Sequence, residues 1–164
     1  MKMELIRLDG LFKIEHGNKF DLNKMNQIAP KDDAIAFVGR SRENNGVVAF
    51  VEKYDSIEPF QSGNITVALG GSALSSFVQT RPFYTAQNID VLKPLTDMTL
   101  DVKLYYCLCI EANRFRYSTF GREANRTLHT LLIPKIESIP SWVNGTTKKS
   151  LDELKADLTA MLSR

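Results

Sequence analysis

Short apolar runs broken by polar turn residues fill the first half of the chain. Ile35–Val38, Val47–Val51, Ile65–Leu69, Phe77–Gln79 and Ile89–Leu92 carry the β-branched and aromatic residues that suit a pleated strand. Asn44-Asn45-Gly46, Ser62-Gly63-Asn64 and Gly70-Gly71-Ser72 separate them, each rich in residues that tolerate a tight turn. Ahead of these, LFKIEHG within Leu5–Gly17 reads as a short helix or strand ending in a turn, and polar Asn18–Asp33 reads as a loop. Strands this dense, with no helix-length pattern between them, predict a curled, mainly antiparallel sheet.

Helical patterning comes later. Leu100–Ile110 is apolar on most faces, with Leu100, Leu104, Cys107, Leu108 and Ile110 among its residues, and predicts a largely buried helix. Leu128–Ile133 and the tail IESIPSWVNG follow, and Pro134 and Pro140 impose an irregular, extended path there. The last segment, SLDELKADLTAMLSR, opens on Ser150 and Glu153 in the S-x-x-E spacing of a capping box. Leu151, Leu154, Leu158 and Met161 form a narrow stripe. That stripe suits a seam with a partner helix and also a helix docked on its own domain; the polar stretch NGTTKK ahead of it favours the partner. The fold class is therefore α/β of the α+β kind: a curled sheet, a buried helix and a terminal helix.

Composition changes this picture little. At 164 residues, 43% hydrophobic and 24% charged, the chain has enough apolar surface for one ordinary core, which excludes disorder. No apolar run approaches the ~18 residues of a membrane span, and the start MKMELIRLDG lacks the apolar core of a signal peptide, so the expected compartment is the cytoplasm. Cys107 and Cys109 lie two apart in a helix and point to nearly opposite faces, which suits small buried apolar residues rather than a disulfide.

Candidate chemistry is sparse. His16 and His129 share no metal-ligand spacing. Gly70-Gly71-Ser72 lacks the following Lys of a phosphate-binding loop, and Ser72 lacks the G-x-S-x-G frame of a nucleophile. Around Glu52 and Lys53 there is no carboxylate pair of a nuclease, and nothing resembles a pocket for a methyl donor. The expectation is a non-catalytic chain without metal or cofactor.

What rises above background is NRFRYSTFGREANR, Asn113 to Arg126. It sets Arg114, Arg116, Arg122 and Arg126 against Glu123, a local charge of +3, with Phe115, Tyr117 and Phe120 interleaved. Guanidinium forks suit phosphates and guanine edges, and Ser118, Thr119 and Asn125 are of a kind that adds backbone contacts. A solvated helix end whose arginine stems cover the core accounts for the same residues. A second candidate is GRSRENNG, Gly39 to Gly46, a loop between strands that carries Arg40, Arg42, Asn44 and Asn45. Arginine reads guanine and asparagine reads adenine in bidentate fashion, so such a loop suits a major groove. A hairpin turn explains Asn45-Gly46 but leaves both arginines over. In FYTAQN, Phe83 to Asn88, the amides suit base reading, while Thr85 and Asn88 better fit the closing of a turn.

At these residues the sequence resembles a known family. LFKIEHG, FVGRSRENNGVV, ITVALGGS, FYTAQN, YCLCIEANRFRYS and GREANRTLHTLLIP, in that order from Leu8 to Val143, are similar to a target recognition domain of type I restriction-modification specificity subunits. ITVALGGS and the block from GREANRTL to IP carry most of the likeness. The resemblance implies a recognition domain over residues 1–145 that docks in the major groove of double-stranded DNA and reads half of a bipartite site. It implies no chemistry in this chain: a partner methyltransferase holds S-adenosylmethionine, and a restriction subunit cleaves. It also implies a spacer helix, here 146–164, that pairs through Leu151, Leu154, Leu158 and Met161. Full specificity subunits carry two such sets and this chain carries one, which suits a half-subunit forming a homodimer, or a separately encoded or truncated domain. The DNA-contacting residues would be Arg40, Arg42, Asn44 and Asn45 in the first loop and Arg114, Arg116, Tyr117, Arg122 and Arg126 in the second segment. Gly70, Gly71 and Asn88 would shape the fold. The competing reading is an orphan protein-interaction domain that binds a methyltransferase without reading DNA; it needs the terminal seam but not the arginines.

Overall fold

The computed structural model describes residues 3–117 and 124–163. Its strands are β1 (Leu5–Arg7), β2 (Phe12–His16), β3 (Ile35–Val38), β4 (Val47–Val51), β5 (Ile65–Ala68), β6 (Ser76–Val78), β7 (Phe83–Thr85), β8 (Ile89–Pro94) and β9 (Leu132–Pro134). The helices are α1 (Leu100–Glu111) and α2 (Thr146–Leu162), with several one-turn 3-10 helices between elements. The mixed, mainly antiparallel class holds, but the single curled sheet resolves into three. One has the order β2-β8-β5-β6, a second β4-β3-β7, and β1 pairs with β9 alone. Strands β3 and β7 run parallel and the other described pairs antiparallel.

The chain crosses between the two larger sheets four times, most tightly between β7 and β8. Asn88 adopts the left-handed conformation at φ 57, turning the chain from β7 in one sheet into β8 in the other. An asparagine tolerates that conformation better than most residues because its short side chain bonds locally. The two larger sheets stack. Ile89 and Val91 of β8 meet Ala36, Val38 and Phe83 of the three-stranded sheet. On its opposite face β8 gives Leu92 to a cluster with Phe12, Ile65, Val67, Tyr106 and Ile110. A strand covered on both faces shows no alternation of buried and exposed positions, and Ile65–Ala68 and Ile89–Leu92 are buried at every position, including the polar Thr66 and Asp90.

Helix α1 is capped by Thr99, whose hydroxyl accepts the Val102 N–H at 3.3 Å. It is less buried than its apolar pattern predicts. Tyr106, Cys107 and Ile110 face the sheet, whereas Leu100, Leu104 and Leu108 remain 49%, 40% and 66% exposed. The helix is apolar on two faces, and the four-stranded sheet and β9 cover one. Tyr106 stacks edge-on to Phe12 and donates its hydroxyl to Pro134 O at 3.0 Å, tying the helix to β9. Burial pushes the Cys107 thiol up to about 12 and raises Cys109 as well, so both are held as thiols.

Helix α2 begins four residues before the capping box. Ser150 and Glu153 lie inside it, and the cap comes from elsewhere: the Asp101 carboxylate accepts the Gly145 N–H at 2.8 Å, the Thr147 N–H at 3.0 Å and the Thr147 hydroxyl. A carboxylate at a helix N-terminus satisfies free amides and opposes the positive end of the dipole. Local spacing does not reveal such a cap, because the accepting carboxylate is in another helix. Beyond this first turn no described residue of α2 is buried.

The Thr147 hydroxyl, with the Thr147 and Gly145 amides, holds Asp101 below the usual carboxylate range. A depressed carboxylate stabilises the fold above its unfolded value and stops doing so as pH falls through the folded one. The expected outcome is that the Gly145 and Thr147 amide resonances hold steady at neutral and mildly acid pH and move only below the ordinary aspartate range. Asp101→Ala should remove the titration and speed amide exchange in the first turn of α2.

Candidate nucleic-acid interface

Strand directions bring five strand ends to one rim. Strands β3 and β7 run parallel with Val38 opposite Thr85, so both exit there. Antiparallel pairing sets Ala68 opposite Ile89 and His16 opposite Asp90, so β5 and β2 end where β8 begins. The segments leaving this rim include Gly39–Gly46, Gly70–Ser75 and Gly17–Phe20.

Gly70–Ser75 is the hub. Leu74 is fully buried yet adopts φ 62, a conformation that costs an L-residue about 1–2 kcal/mol and persists here because the side chain fills the core. Its N–H donates to Ala68 O at 2.7 Å, and the Ala68 N–H donates to Ser75 O at 3.0 Å, closing the loop on the end of β5. On one side the Arg40 stem lies over Gly71, where an added Cβ would meet Arg40 Cβ at 3.5 Å. On the other side Arg114 donates from Nε to Ala73 O at 2.9 Å and from a terminal nitrogen to Ser75 Oγ at 3.1 Å. The Ala124 N–H donates to Leu69 O at 2.9 Å. The two arginine-bearing segments, far apart in sequence, therefore flank one loop.

Their side chains divide by role. Arg40, Arg42, Asn44, Arg116 and Arg126 are exposed, and Arg40 and Arg42 pair with no acid among the described residues. Arg116 lies 5.6 Å over the Phe115 ring. Arg114, by contrast, is half-buried, bonded to the loop and 3.8 Å from Glu111, so it holds the loop in place. Asn45 plays a similar part. Asn44, Asn45 and Gly46 take φ values of 49, 58 and 77 in succession, the Asn45 amide donates to Val78 O at 2.8 Å, and Asn45 O accepts from Gln79 at 2.9 Å. This turn bolts the β3–β4 loop to β6 of the other sheet. The Tyr117 hydroxyl is shared with Thr127 at 2.7 Å. Arg122, with Ser118, Thr119, Phe120 and Glu123, lies outside the described residues.

Sequence spacing did not gather every polar group at this rim. His16 Nδ1 lies 2.7 Å from the carboxylate of Asp90, 74 residues away, a pairing made by β2 and β8 rather than by any local motif. Lys19 is exposed with φ 60, and Gln87 is exposed beside Asn88. Thr85 accepts the Asn18 N–H at 2.8 Å, so FYTAQN supplies a strand and a corner rather than a reading loop. A concavity of about 670 Å³ sits at the opposite end between Ile6, Leu95 and Ile136. Among the described residues no group of three or more His, Cys, Asp or Glu is placed to hold a metal, and no helix is long and apolar enough to cross a membrane.

Comparison with known proteins places these features. The family model described as type I restriction modification DNA specificity domain matches residues 1–141. No curated protein sequence matches at a significant level. Among solved structures, the S subunit of a type I restriction-modification system from M. genitalium superposes with TM-score 0.61 at 15% identity, covering 98% of this chain and 43% of its own. A structure from work on complex assembly and conformational transition of the type I R-M system gives 0.63 at 16% identity, with 98% and 43% coverage. The HsdS subunit from Thermoanaerobacter tengcongensis gives 0.60 at 14% identity, with 96% and 38% coverage. The chain thus spans about two fifths of the length of these structures, which share its fold. By the match over residues 1–141, this chain belongs to the family of type I restriction modification DNA specificity domains.

Proposed function

We propose that this chain is a target recognition module: residues 1–145 read double-stranded DNA, and the helix over 146–164 sets the distance to a second module. The observation that carries the reading is the convergence of two exposed arginine sets on the Gly70–Ser75 loop at one rim of the stacked sheets. A two-stranded ribbon fits a major groove about 12 Å wide, and the β3–β4 hairpin presents Arg40, Arg42 and Asn44 at its tip. Arg116 and Arg126 lie on the segment across the Gly70–Ser75 loop from that tip and suit phosphates, as Arg122 does by its chemistry alone; phosphate contacts fix register without specifying sequence.

In this reading the chain does no chemistry. A partner methyltransferase subunit supplies S-adenosylmethionine and the methyl transfer, a restriction subunit cuts, and the complex works in the cytoplasm. Helix α2 exposes Leu151, Leu154, Leu158 and Met161 at 60%, 55%, 50% and 71%, an apolar stripe that a second copy of α2 would cover in a homodimer. Leu104, Leu108 and Trp142 extend the apolar surface beyond it and suit the methyltransferase.

Selection from random duplexes, followed by binding across a salt series, tests the reading. Arg116→Ala and Arg126→Ala should weaken all duplexes alike and reduce the slope of log K against log salt by about 0.9 each. Arg40→Ala or Arg42→Ala should relax the preference at a base position, by about 1–3 kcal/mol for a bidentate contact. Unchanged preference and slope in all four variants would sink the DNA reading and favour the interaction domain. Arg114→Ala should instead lower thermal stability by about 1–3 kcal/mol, because it leaves loop acceptors without their donor. Sedimentation should show Leu154→Glu with Leu158→Glu shifting a dimer to monomer while melting stays unchanged; a wild-type chain that is monomeric at high concentration removes the homodimer.

A further inference from the structure

We infer that His16 is a phosphate-contact residue of the DNA surface, its imidazolium donating Nδ1–H to Asp90 and Nε2–H to a backbone phosphate. The inference rests on the DNA-binding reading and adds to it a side chain and a pH dependence that the arginines lack.

Position comes first. His16 ends β2 opposite Asp90, and Asp90 is flanked on its other side by Val67 of β5. Residues directly opposite in a sheet share a face, and so does a residue two further along a strand. Leu69, two beyond Val67, belongs with Val67 and Ala124 to one buried cluster and accepts the Ala124 N–H, so His16 shares a rim and a sheet face with Ala124.

Geometry comes second. The Asp90 side chain is 4% exposed and the His16 side chain 70% exposed, so the ring is fastened at its inner nitrogen and open at the outer one. A second hydrogen bond of this kind fixes which ring nitrogen faces outward and how the ring is turned. Asp90 from β8 meets the ring, and the charged groups acting on Asp90 are His16 and Lys19, the latter from the segment after β2. Glu15 is held by Lys13 and Lys93, each at 2.7 Å, and its position on the strand points it to the opposite face. Burial raises the Asp90 carboxyl, and the hydrogen bond with His16 opposes that rise. Without the imidazolium, Asp90 would present negative charge to the DNA. With it, the pair is neutral inside and donates outside.

The sign of the pH dependence follows. A phosphate on Nε2 favours the protonated ring, so binding takes up a proton and affinity rises as pH falls through about 8 to 5, the range where imidazoles charge. Arginines and Lys19 keep their charge throughout it.

The test measures affinity of the full chain for a mixed-sequence duplex of about 30 base pairs at fixed salt across that range. Wild type and His129→Gln should bind about tenfold tighter at the acid end, and His16→Gln should lose that slope. In the wild type, the His16 imidazole titration followed by NMR should move to higher pH when duplex is added; a purely structural His16–Asp90 pair would not move. The same pH slope in His16→Gln, or an unmoved titration, overturns the inference and leaves the arginine surface standing. No binding by wild type at any pH overturns both.

Discussion

The fold depends on β8. It is hydrogen-bonded to β2 on one edge and to β5 on the other, and it is packed against α1's cluster on one face and the three-stranded sheet on the other. A strand enclosed on four sides has no freedom of register, because a slip of one residue would exchange its two apolar faces and drive Asp90 into the contact between sheets. That constraint fixes where β2 and β5 end and, through the Asn88 corner, where β7 ends. The rim that gathers the arginines is a consequence of it.

Rigidity at the rim comes from polar groups that a list of charged residues would assign to binding. Arg114 and Asn45 bridge loop to loop and sheet to sheet, and Gln79 Nε2 reaches both Asn45 O and Thr66 Oγ1, at 2.9 and 2.8 Å. Among the described residues no buried side-chain nitrogen or oxygen lacks a partner. A satisfied buried network of this kind holds one geometry, since each alternative leaves an unpaired group in a low-dielectric interior. The exposed arginines are thereby presented from a fixed base, which limits the entropy lost when they engage a ligand.

Much of this was legible in the chain. The β3, β4, β5, β6 and β8 cores, α1 and the terminal helix all appear as apolar runs or periodic stripes, and the resemblance read from LFKIEHG to GREANRTLHTLLIP agrees with the family match. What escaped depends on long-range pairing. The split into three sheets rests on which strands pair, and its tightest crossing uses one left-handed asparagine. The start of α2 follows from Asp101 rather than Ser150, and α1 keeps one apolar face uncovered although its composition suggests otherwise. At the rim, sequence could nominate Arg40 and Arg114 alike; only the hydrogen bonds distinguish the exposed side chain from the one that holds the loop.

Helix α2 is fastened at its first turn and bare beyond it. Its 17 residues make a rod about 25 Å long. A rod held at one end amplifies angle into distance: a tilt of about 8° at the base displaces the tip by roughly 3.4 Å, one base-pair step. The Asp101 clasp is thus also an angular bearing. Under the proposed spacer role, a small repacking around Trp142 or Thr147 would reach the far end as a shift measured in base pairs, and a single substitution near the bearing would change the spacing between two modules without touching either.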